Sequence, residues 1–356
     1  MYGRIPSFVG ALIKWYRENK RDLPWRDCGD PYKVWVSEII LQQTRVIQGL
    51  PYYNKFVAHF PDVKKLAGAR EELILKLWQG LGYYTRARNM LIAAKQVCTE
   101  FGGRIPESYS ELRKLKGIGP YSAAAISSIC FNEQRAVLDG NVMRVLSRIF
   151  AIDFPVDKTE GRNALQKIAD RIIPAKNPGE YNQAIMELGA MVCLPKAPDC
   201  KKCPVFEDCL SGSTGDWELF PVKGKLKVKK KRYFDFLVIN NREGIYIQKR
   251  KEKDIWRNLW QFPNIEGDCG ANIPGLRKKI LVDYRLKLEK PIWENEYKVH
   301  QLTHQTLFFR FWEIYTKKPL KSEVIRWVSH GALKKFPFPV PIAMYLKKIT
   351  NFEKKV

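Results

Sequence analysis

Four thiols lie close together in one short stretch of the chain, separated by six, two and five residues: Cys193, Cys200, Cys203 and Cys209. Four thiolates on one loop can enclose a single soft metal centre. Structural zinc is the plainer alternative, but zinc sites usually pair two close Cys-x-x-Cys units, and only one such unit occurs here. We therefore expect these four residues to hold a four-iron four-sulfur cluster rather than zinc.

A glycine-rich turn stands between two helix-like stretches in LKGIGPYSAAAI, Leu115 to Ile126. Gly117 and Gly119 can adopt positive φ, and Pro120 suits the first turn of a helix. Backbone N–H groups at such a helix start are free to hold a phosphate. The motif predicts a helix, a hairpin and a second helix, although an ordinary turn between core helices remains the alternative.

Charge indicates what kind of molecule the chain meets. Of its 356 residues, 62 are Lys or Arg and 37 are Asp or Glu, which gives a formal charge of +25 at pH 7. Such an excess favours a polyanionic partner, with nucleic acid ahead of an anionic membrane surface. No apolar run of about eighteen residues is present, so we expect a soluble, intracellular protein that does not enter a membrane.

The order of predicted elements divides the chain into two domains. Residues 1–210 carry apolar residues at helical spacing, as in RARNMLIAAKQVC, and predict an all-α domain. Residues 211–231 combine small residues, Pro, Gly and a lysine run, which is typical of a linker. In residues 232–356 strand-like runs such as YFDFLVI and LFFRFWEIY predominate, with one clear helix in PIAMYLKKI. We expect this second domain to be α+β.

Together with the cysteine loop and the hairpin, four further motifs resemble a known family: LPWR at 23–26, PYKVWVSEIILQQTR at 31–45, GLGYYTRARN at 80–89 and LDGNV at 138–142. The chain resembles the helix-hairpin-helix DNA glycosylases of the endonuclease III superfamily, and more closely the MutY-type adenine glycosylases. That resemblance implies a base excision repair enzyme that binds duplex DNA and removes adenine opposite 8-oxoguanine or guanine. It also implies an iron–sulfur cluster loop and a nudix-like second domain.

Three catalytic residues follow from the resemblance. Cleavage of a glycosidic bond passes through an oxocarbenium-like state, so an acid must protonate the base and an anion must face the sugar. Glu38 matches the family's general acid and Asp139 its second carboxylate. Tyr121 stands where relatives that also cut the backbone carry a Schiff-base lysine, so the resemblance implies a monofunctional enzyme. A solvated helix face for Glu38 and an N-cap for Asp139 are the ordinary alternatives.

Further family positions concern DNA. The target base must leave the stack, and the resemblance implies that Gln43 and Tyr83 enter the duplex beside the opposite base. It assigns Trp25, Arg26 and Gln183 to the adenine pocket and Asn141 to support of the acid or the sugar. Core packing is the alternative for the aromatic residues.

The second domain resembles a nudix-related module, most clearly at WRNLWQFP, residues 256–263. Residues 275–290 offer mostly basic side chains in place of the acidic magnesium-binding helix of a diphosphate hydrolase, so we expect recognition without hydrolysis. A Phe-Ser-His loop senses oxidised guanine in the family. Here the matching residues are Leu302, Thr303 and His304, and we expect Thr303 and His304 to contact DNA. A plain β-loop is the alternative.

Three other functions remain open from the sequence. They are a bifunctional pyrimidine-damage glycosylase and lyase, a non-catalytic DNA-binding or redox protein, and a nudix-type hydrolase. We expect a monomer that acts in the cytoplasm, associated with the nucleoid.

Overall fold

The computed structural model describes residues 5–224, 228–241, 243–267, 274, 278, 282, 293–294, 296–316 and 325–352. The chain forms two compact units. The first comprises Met1–Gly68 and Asn89–Lys225, and the second comprises Ala69–Arg88 and Leu226–Val356. A segment from the helical half of the sequence therefore belongs to the second unit, which the predicted boundaries do not anticipate.

Helices make up the first half of the chain, as predicted. In chain order they are α1 (Ile5–Asn19), α2 (Pro31–Leu41), α3 (Val46–His59), α4 (Val63–Ala67), α5 (Glu71–Leu77), α6 (Thr85–Glu100), α7 (Tyr109–Leu112), α8 (Pro120–Phe131), α9 (Gly140–Ile149), α10 (Thr159–Ile172), α11 (Pro178–Met191) and α12 (Leu210–Thr214). Of these, α5 and the start of α6 lie in the second unit. None of the helices within the described residues is long and apolar enough to cross a membrane.

The core of the first unit is arranged around α11, which packs against α1, α8 and α9. Leu12, Leu146 and Leu188 have no exposed surface. Burying a leucine side chain contributes about 1.5–3 kcal/mol, so these contacts fix the relative positions of the helices. α8 also packs against α2, and the Gln42 side-chain amide, just after α2, donates to Ser122 Oγ at 3.2 Å, which holds the start of α8 near the end of α2.

Two helix starts are capped by side chains in the usual way. Asp30 Oδ1 accepts from the backbone N–H of Tyr32 at 3.0 Å, and Pro31 is the first residue of α2. Ser108 caps α7 by accepting from Glu111 N at 3.3 Å. These side chains satisfy donors that a helix start leaves unpaired, and so they fix where α2 and α7 begin.

The predicted linker, residues 211–231, is largely ordered where it is described. The Arg148 guanidinium donates to the carbonyls of Trp217 and Phe220, and Val156 N donates to the Val222 carbonyl at 3.2 Å. Its first part therefore packs onto the helical unit, and its last residues enter the first strand. Composition alone does not reveal backbone groups that a neighbouring arginine satisfies.

The second unit is built on a mixed sheet of strands β1 (Lys230–Asn240), β2 (Gly244–Lys249), β3 (Trp260–Gln261), β4 (Asn264–Gly267), β5 (Trp293–Glu294), β6 (Lys298–Gln301), β7 (Gln305–Tyr315) and β8 (Arg326–Ser329). A last helix, α13 (Val340–Phe352), follows the sheet. β1 pairs antiparallel with β2. It also pairs parallel with β7, and that pairing extends along the whole length of β1. The predicted strands and final helix are thus confirmed, while most of residues 275–290 lie outside the described part of the chain.

Candidate active site

Glu38 lies on α2 with its side chain half-buried. The pKa of this carboxyl is raised to about 7, mainly by burial and in smaller part by the nearby charge of Asp139, while the hydrogen bond from the Tyr121 hydroxyl and the charge of Arg26 act in the opposite direction. A carboxyl with this pKa is protonated in a large fraction of molecules near neutral pH, unlike an ordinary glutamate. The side chain can therefore donate a proton, as the resemblance implies.

Asp139 is the N-cap of α9. Its Oδ1 accepts from Val142 N at 2.8 Å, and its Oδ2 accepts from the Asn141 side-chain amide at 3.1 Å. Burial raises the pKa of Asp139, and the hydrogen bonds from Val142 and Asn141 oppose that shift. The ordinary interpretation as an N-cap is structurally correct, yet it leaves this carboxylate close enough to Glu38 for their charges to interact.

Tyr121, the second residue of α8, completes the group. Its hydroxyl donates to Met186 Sδ at 3.3 Å, and burial followed by the charges of Glu38 and Asp139 raises its pKa well above the usual value. The phenol therefore stays neutral and can donate a hydrogen bond. Lys116, the nearest lysine in the hairpin, is exposed in the turn before α8. The structure thus brings the three predicted catalytic residues together.

The predicted pocket residues are fixed by partners that the sequence did not reveal. Arg26 forms a bidentate ion pair with buried Glu187, at 2.6 and 3.0 Å, and Arg21 pairs with the same carboxylate. Burial alone raises the pKa of Glu187, but hydrogen bonds from the two arginines outweigh it and hold that pKa at about 2. Because Glu187 lies on α11, this bidentate ion pair fixes the orientation of the Arg26 guanidinium relative to α11.

Trp25 and Gln183 are also held in place. The Trp25 ring is only 8% exposed and packs edge-on against Tyr53. Gln183 Oε1 accepts from the Tyr16 hydroxyl at 3.3 Å. Core packing is therefore correct for Trp25, and its contribution to a pocket stays a prediction.

Asn141 connects Asp139 to the cysteine loop through Arg144, another residue that the sequence did not single out. The Arg144 guanidinium donates to Asn141 Oδ1 at 3.0 Å, to the Gly189 carbonyl at 2.7 Å and to the Cys193 carbonyl at 2.7 Å. A Cβ at Gly189 would lie 2.7 Å from the Asn141 Cβ, so only glycine allows this close approach. No local feature of the sequence distinguishes Arg144 from an ordinary solvated helix arginine.

The four cysteines lie in the segment that joins α11 to α12. Within the described residues, no three His, Cys, Asp or Glu side chains are grouped closely enough to hold a metal ion. The four thiols nevertheless interact. Burial raises the pKa of the Cys203 and Cys209 thiols, and the charges of the other cysteines raise them further.

Buried Arg148 lies beside this loop and donates to Cys193 Sγ at 3.3 Å and to the Leu194 carbonyl at 2.7 Å. A cation next to several sulfur atoms offsets the negative charge that thiolates bring, and metal binding would displace the thiol protons. The chemistry of these side chains, four soft donors beside a buried cation, suits an iron–sulfur cluster.

The hairpin before α8 uses its two glycines differently from the prediction. Gly117 has φ +81°, and a Cβ there would lie 2.6 Å from the Asn89 Cβ. Gly119 has φ −82°, so it does not need the left-handed region that the sequence suggested. The space around Gly119 is open, because nothing lies within 4 Å of a Cβ built there, and no side chain caps α8. The N-terminus of α8 is therefore accessible to an anion.

The predicted DNA-contacting side chains are exposed. Gln43 follows α2 with φ +58°, an uncommon backbone for a residue with a side chain. In the second unit, Tyr83 is 41% exposed with φ +48°, and its hydroxyl is hydrogen-bonded to the Thr303 hydroxyl. Thr303 and His304 are both exposed in the turn between β6 and β7.

Comparison with known proteins gives two family matches and several curated relatives. Residues 36–171 match the HhH-GPD superfamily of base excision DNA repair proteins, and residues 236–348 match the NUDIX domain. An adenine DNA glycosylase of Buchnera aphidicola subsp. Baizongia pistaciae is 34% identical over 97% of both chains. A second, from Buchnera aphidicola subsp. Schizaphis graminum, is 36% identical over 85% of this chain and 86% of its own.

The chain belongs to the adenine DNA glycosylase family. Among solved structures, a thermostable thymine-DNA glycosylase is 26% identical, with a TM-score of 0.54 over 59% of this chain and 97% of its own. The two kinds of domain expected from the sequence, helix-hairpin-helix and nudix-like, are confirmed by the two family matches.

Proposed function

We propose that this adenine DNA glycosylase family member removes adenine mispaired with 8-oxoguanine or guanine in duplex DNA, with Glu38 as the general acid. The observation that carries the proposal is the pair of carboxyls, Glu38 with a pKa of about 7 and Asp139 next to it. The family relationship supports the choice of adenine. Two carboxyls held in different environments can divide acid and anion roles between them.

The chemistry follows from the two environments. Protonated Glu38 donates its proton to a ring nitrogen of the extruded adenine, which turns the base into a better leaving group. Asp139 is hydrogen-bonded by Val142 N and the Asn141 amide, so part of its charge is stabilised before a substrate arrives. Its carboxylate faces the sugar as positive charge develops there. After the base leaves, ionised Glu38 can accept a proton from the attacking water.

Tyr121 sets the type of product. A phenol cannot form an imine, so the sugar–phosphate strand stays intact after base release. The Tyr121 hydroxyl contributes instead to orienting the Glu38 carboxyl, whose pKa it lowers. The enzyme is monofunctional in this proposal.

Several parts of the chain support DNA binding. The excess of Lys and Arg supplies attraction to phosphates, and the uncapped N-terminus of α8 supplies free N–H groups for one of them. Exposed Gln43 and Tyr83 serve as the side chains that enter the duplex, while Trp25, Arg26 and Gln183 contact the extruded adenine. Thr303 and His304 contact the oxidised guanine. We place the protein, as a monomer, in the cytoplasm with the nucleoid.

We further propose that Cys193, Cys200, Cys203 and Cys209 hold a four-iron four-sulfur cluster, which would tie together the loop after α11. Arg148, which donates to Cys193 Sγ, and Arg144, which donates to the Cys193 carbonyl, fix that loop against α9. Replacing Cys203 with serine should reduce the iron and sulfide content and lower the free energy of unfolding, because a structural metal centre contributes to the stability of the fold.

Purified wild-type protein should be brown and contain iron and sulfide in about equal amounts, and the Cys203→Ser variant should contain less of both. Cys98→Ser is the matched control, because Cys98 lies on α6, away from the four-cysteine loop in sequence. A colourless wild-type protein that carries zinc would contradict this proposal.

The proposed function is tested with a duplex that contains adenine opposite 8-oxoguanine, incubated under single-turnover conditions and analysed with and without alkali. We expect free adenine to be released and the strand to break only after alkali. Strand cleavage without alkali would favour a bifunctional enzyme, and an intact base with an unchanged strand would contradict glycosylase activity on this substrate.

The rate should also depend on pH in a direction set by Glu38. Its raised pKa of about 7 means that the acid form is present below that pH and is lost above it. Single-turnover adenine release should therefore fall about tenfold per pH unit well above pH 7. It should also decline at low pH as Asp139 is protonated, and that decline should begin above the ordinary aspartate range because its pKa is raised.

The profile is measured from pH 5 to pH 9 at saturating enzyme. The Glu38→Gln variant is the control, because any residual rate should lack the limb near pH 7. A wild-type rate that stays constant up to pH 9 would contradict a role for Glu38 as the acid.

A further inference from the structure

Segment Ala69–Arg88 belongs by sequence to the helical half of the chain but packs with the sheet of the second unit. Polar contacts at α5 hold it there. Asn258 donates its side-chain amide to Glu71 Oε1 at 2.7 Å, and the Trp260 indole N–H donates to Glu72 Oε1 at 2.5 Å. We call these four residues, Glu71, Glu72, Asn258 and Trp260, the α5 clamp.

The clamp is charge-assisted and geometrically specific. Each glutamate accepts from a neutral N–H donor, and such hydrogen bonds to a carboxylate are stronger than those between neutral groups. Asn258 adopts φ +65°, and its backbone N–H donates to the Arg250 carbonyl at 2.8 Å. This turn directs its side chain towards α5. Both glutamates are partly buried, which reduces screening by salt.

Trp260 is itself fixed by the stretch of chain just before α13. Its backbone N–H donates to the Pro337 carbonyl at 2.9 Å, and its ring packs edge-on against Phe336 at 5.0 Å. Lys76 on α5 donates to the Phe336 carbonyl at 2.9 Å, so the same stretch of chain contacts both α5 and Trp260. The motif at 256–263 therefore presents a rigid indole donor to the first turn of α5.

The far end of the segment carries Tyr83, and its turn is also rigid. The Trp78 indole N–H donates to the Gly82 carbonyl at 3.1 Å, and the Arg86 guanidinium donates to the same carbonyl at 3.2 Å. The Arg86 guanidinium lies 5.5 Å from the centre of the Tyr83 ring. Gly80 and Gly82 have φ +113° and +71°, which permits this tight turn.

A rigid turn transmits the position of α5 to Tyr83. At the tip of the segment, the Tyr83 hydroxyl bonds to the Thr303 hydroxyl in the β6–β7 turn. Both residues are exposed there, and one exposed hydrogen bond between neutral groups contributes little alone. The alignment of Tyr83 with Thr303 thus depends on the contacts that fix α5 on the sheet.

We propose that Glu71, Glu72 and Trp260 are positioning residues for mispair recognition, because the α5 clamp holds Tyr83 and Thr303 as one recognition element. This rests on the proposed function, in which these two residues face the base opposite adenine. Loss of the clamp leaves the carboxyls of the first unit in place and loosens the element that distinguishes 8-oxoguanine from guanine. Discrimination should therefore fall more than base release.

The test compares the full-length, cluster-loaded wild type with the double variant Glu71→Ala and Glu72→Ala. Single-turnover rates and duplex affinity are measured for adenine opposite 8-oxoguanine and opposite guanine. We expect the preference for the 8-oxoguanine duplex to fall about tenfold, the effect of losing one or two charge-assisted hydrogen bonds, while the rate on the guanine duplex changes less than about twofold.

Matched controls separate positioning from charge and folding. Glu100→Ala with Glu107→Ala removes the same two charges at exposed positions of the first unit and should keep the wild-type preference. The double variant Glu71→Gln and Glu72→Gln retains both carbonyl acceptors and should keep most of the wild-type preference for the 8-oxoguanine duplex. Should the alanine variant fold poorly, Trp260→Phe keeps an aromatic ring and removes only the indole donor, and it should lose part of the preference because the hydrogen bond between Asn258 and Glu71 remains.

Three outcomes decide the matter. A wild-type preference in both the alanine variant and Trp260→Phe would overturn the proposal, as would an equal loss in the Glu100 and Glu107 control. When the clamp variants are combined with Tyr83→Phe, the fold-loss of preference should be smaller than the product of the fold-losses measured for each change alone. Fold-losses that multiply would contradict action through Tyr83. A wild type that releases no adenine overturns the proposed function itself, a different result.

Discussion

Replacing Glu38 with glutamine should reduce single-turnover adenine release by about 10²–10⁴-fold, the usual range for a general acid. Glutamine has nearly the same shape as glutamic acid, so the packing of α2 and the contact with Tyr121 are retained. It has no proton to give at any pH near neutrality. The large effect is expected because burial raises the pKa of Glu38 to about 7 and so prepares the acid form before the substrate arrives.

The measurement is the first-order rate of adenine release at saturating enzyme, together with duplex affinity. We expect affinity to remain near the wild-type value, which separates chemistry from binding. Glu100→Gln makes the same change at an exposed position on α6 and should leave the rate unchanged. A Glu38→Gln variant with wild-type rate would show that the proton comes from another group.

Replacing Asp139 with asparagine should reduce the rate by about 10²–10³-fold, comparable to removing a preorganised group that stabilises a charged transition state. The choice of asparagine is deliberate. Asp139 caps α9 by accepting from Val142 N, and asparagine is an equally good N-cap, so the fold keeps the capping hydrogen bond and loses the negative charge together with the acceptor for the Asn141 amide. The variant thus distinguishes the capping role from the electrostatic one.

Asp62→Asn is the matched control, because Asp62 caps α4 by accepting from Lys65 N at 2.8 Å. Both variants should unfold within a few degrees of the wild type in thermal denaturation, whereas only Asp139→Asn should lose activity. Equal rates for the two variants would mean that Asp139 serves only as a cap.

Local chemistry in the sequence places the three candidate catalytic residues on their helices: Tyr121 and Asp139 lie at the starts of α8 and α9, and Glu38 lies near the end of α2. Asp30 and Pro31 begin α2 and so fix where Glu38 lies on that helix, and Pro120 begins α8 and so fixes Tyr121. Such capping signals are local and can be read from adjacent residues. The meeting of these three helix segments could be inferred only through the family resemblance.

Residues that support the site were missed because their roles depend on distant parts of the chain. The role of Glu187 depends on its ion pairs with Arg21 and Arg26, which lie more than 160 positions away along the chain. Arg144 and Arg148 satisfy carbonyls of a loop that follows α11. Arginine on a helix is usually solvated, so nothing local distinguishes these buried ones.

The division into domains was the least accessible feature. The lysine-rich stretch after residue 211 has the composition of a linker, yet its first part is held by Arg148. Segment Ala69–Arg88 has helical periodicity and stands between helices of the first unit, but Glu71 and Glu72 bind residues of the WRNLWQFP motif. Hydrophobic periodicity indicates that a segment packs against something and does not identify its partner.

The most direct test of the central claim is a crystal structure of the Asp139→Asn variant bound to a duplex with adenine opposite 8-oxoguanine. We predict that the adenine lies outside the stack, with the Glu38 carboxyl at hydrogen-bond distance from one of its ring nitrogens and the side chain at position 139 facing the sugar of the same nucleotide. An adenine that is extruded into a site away from Glu38, or one whose sugar lies far from position 139, would contradict the account.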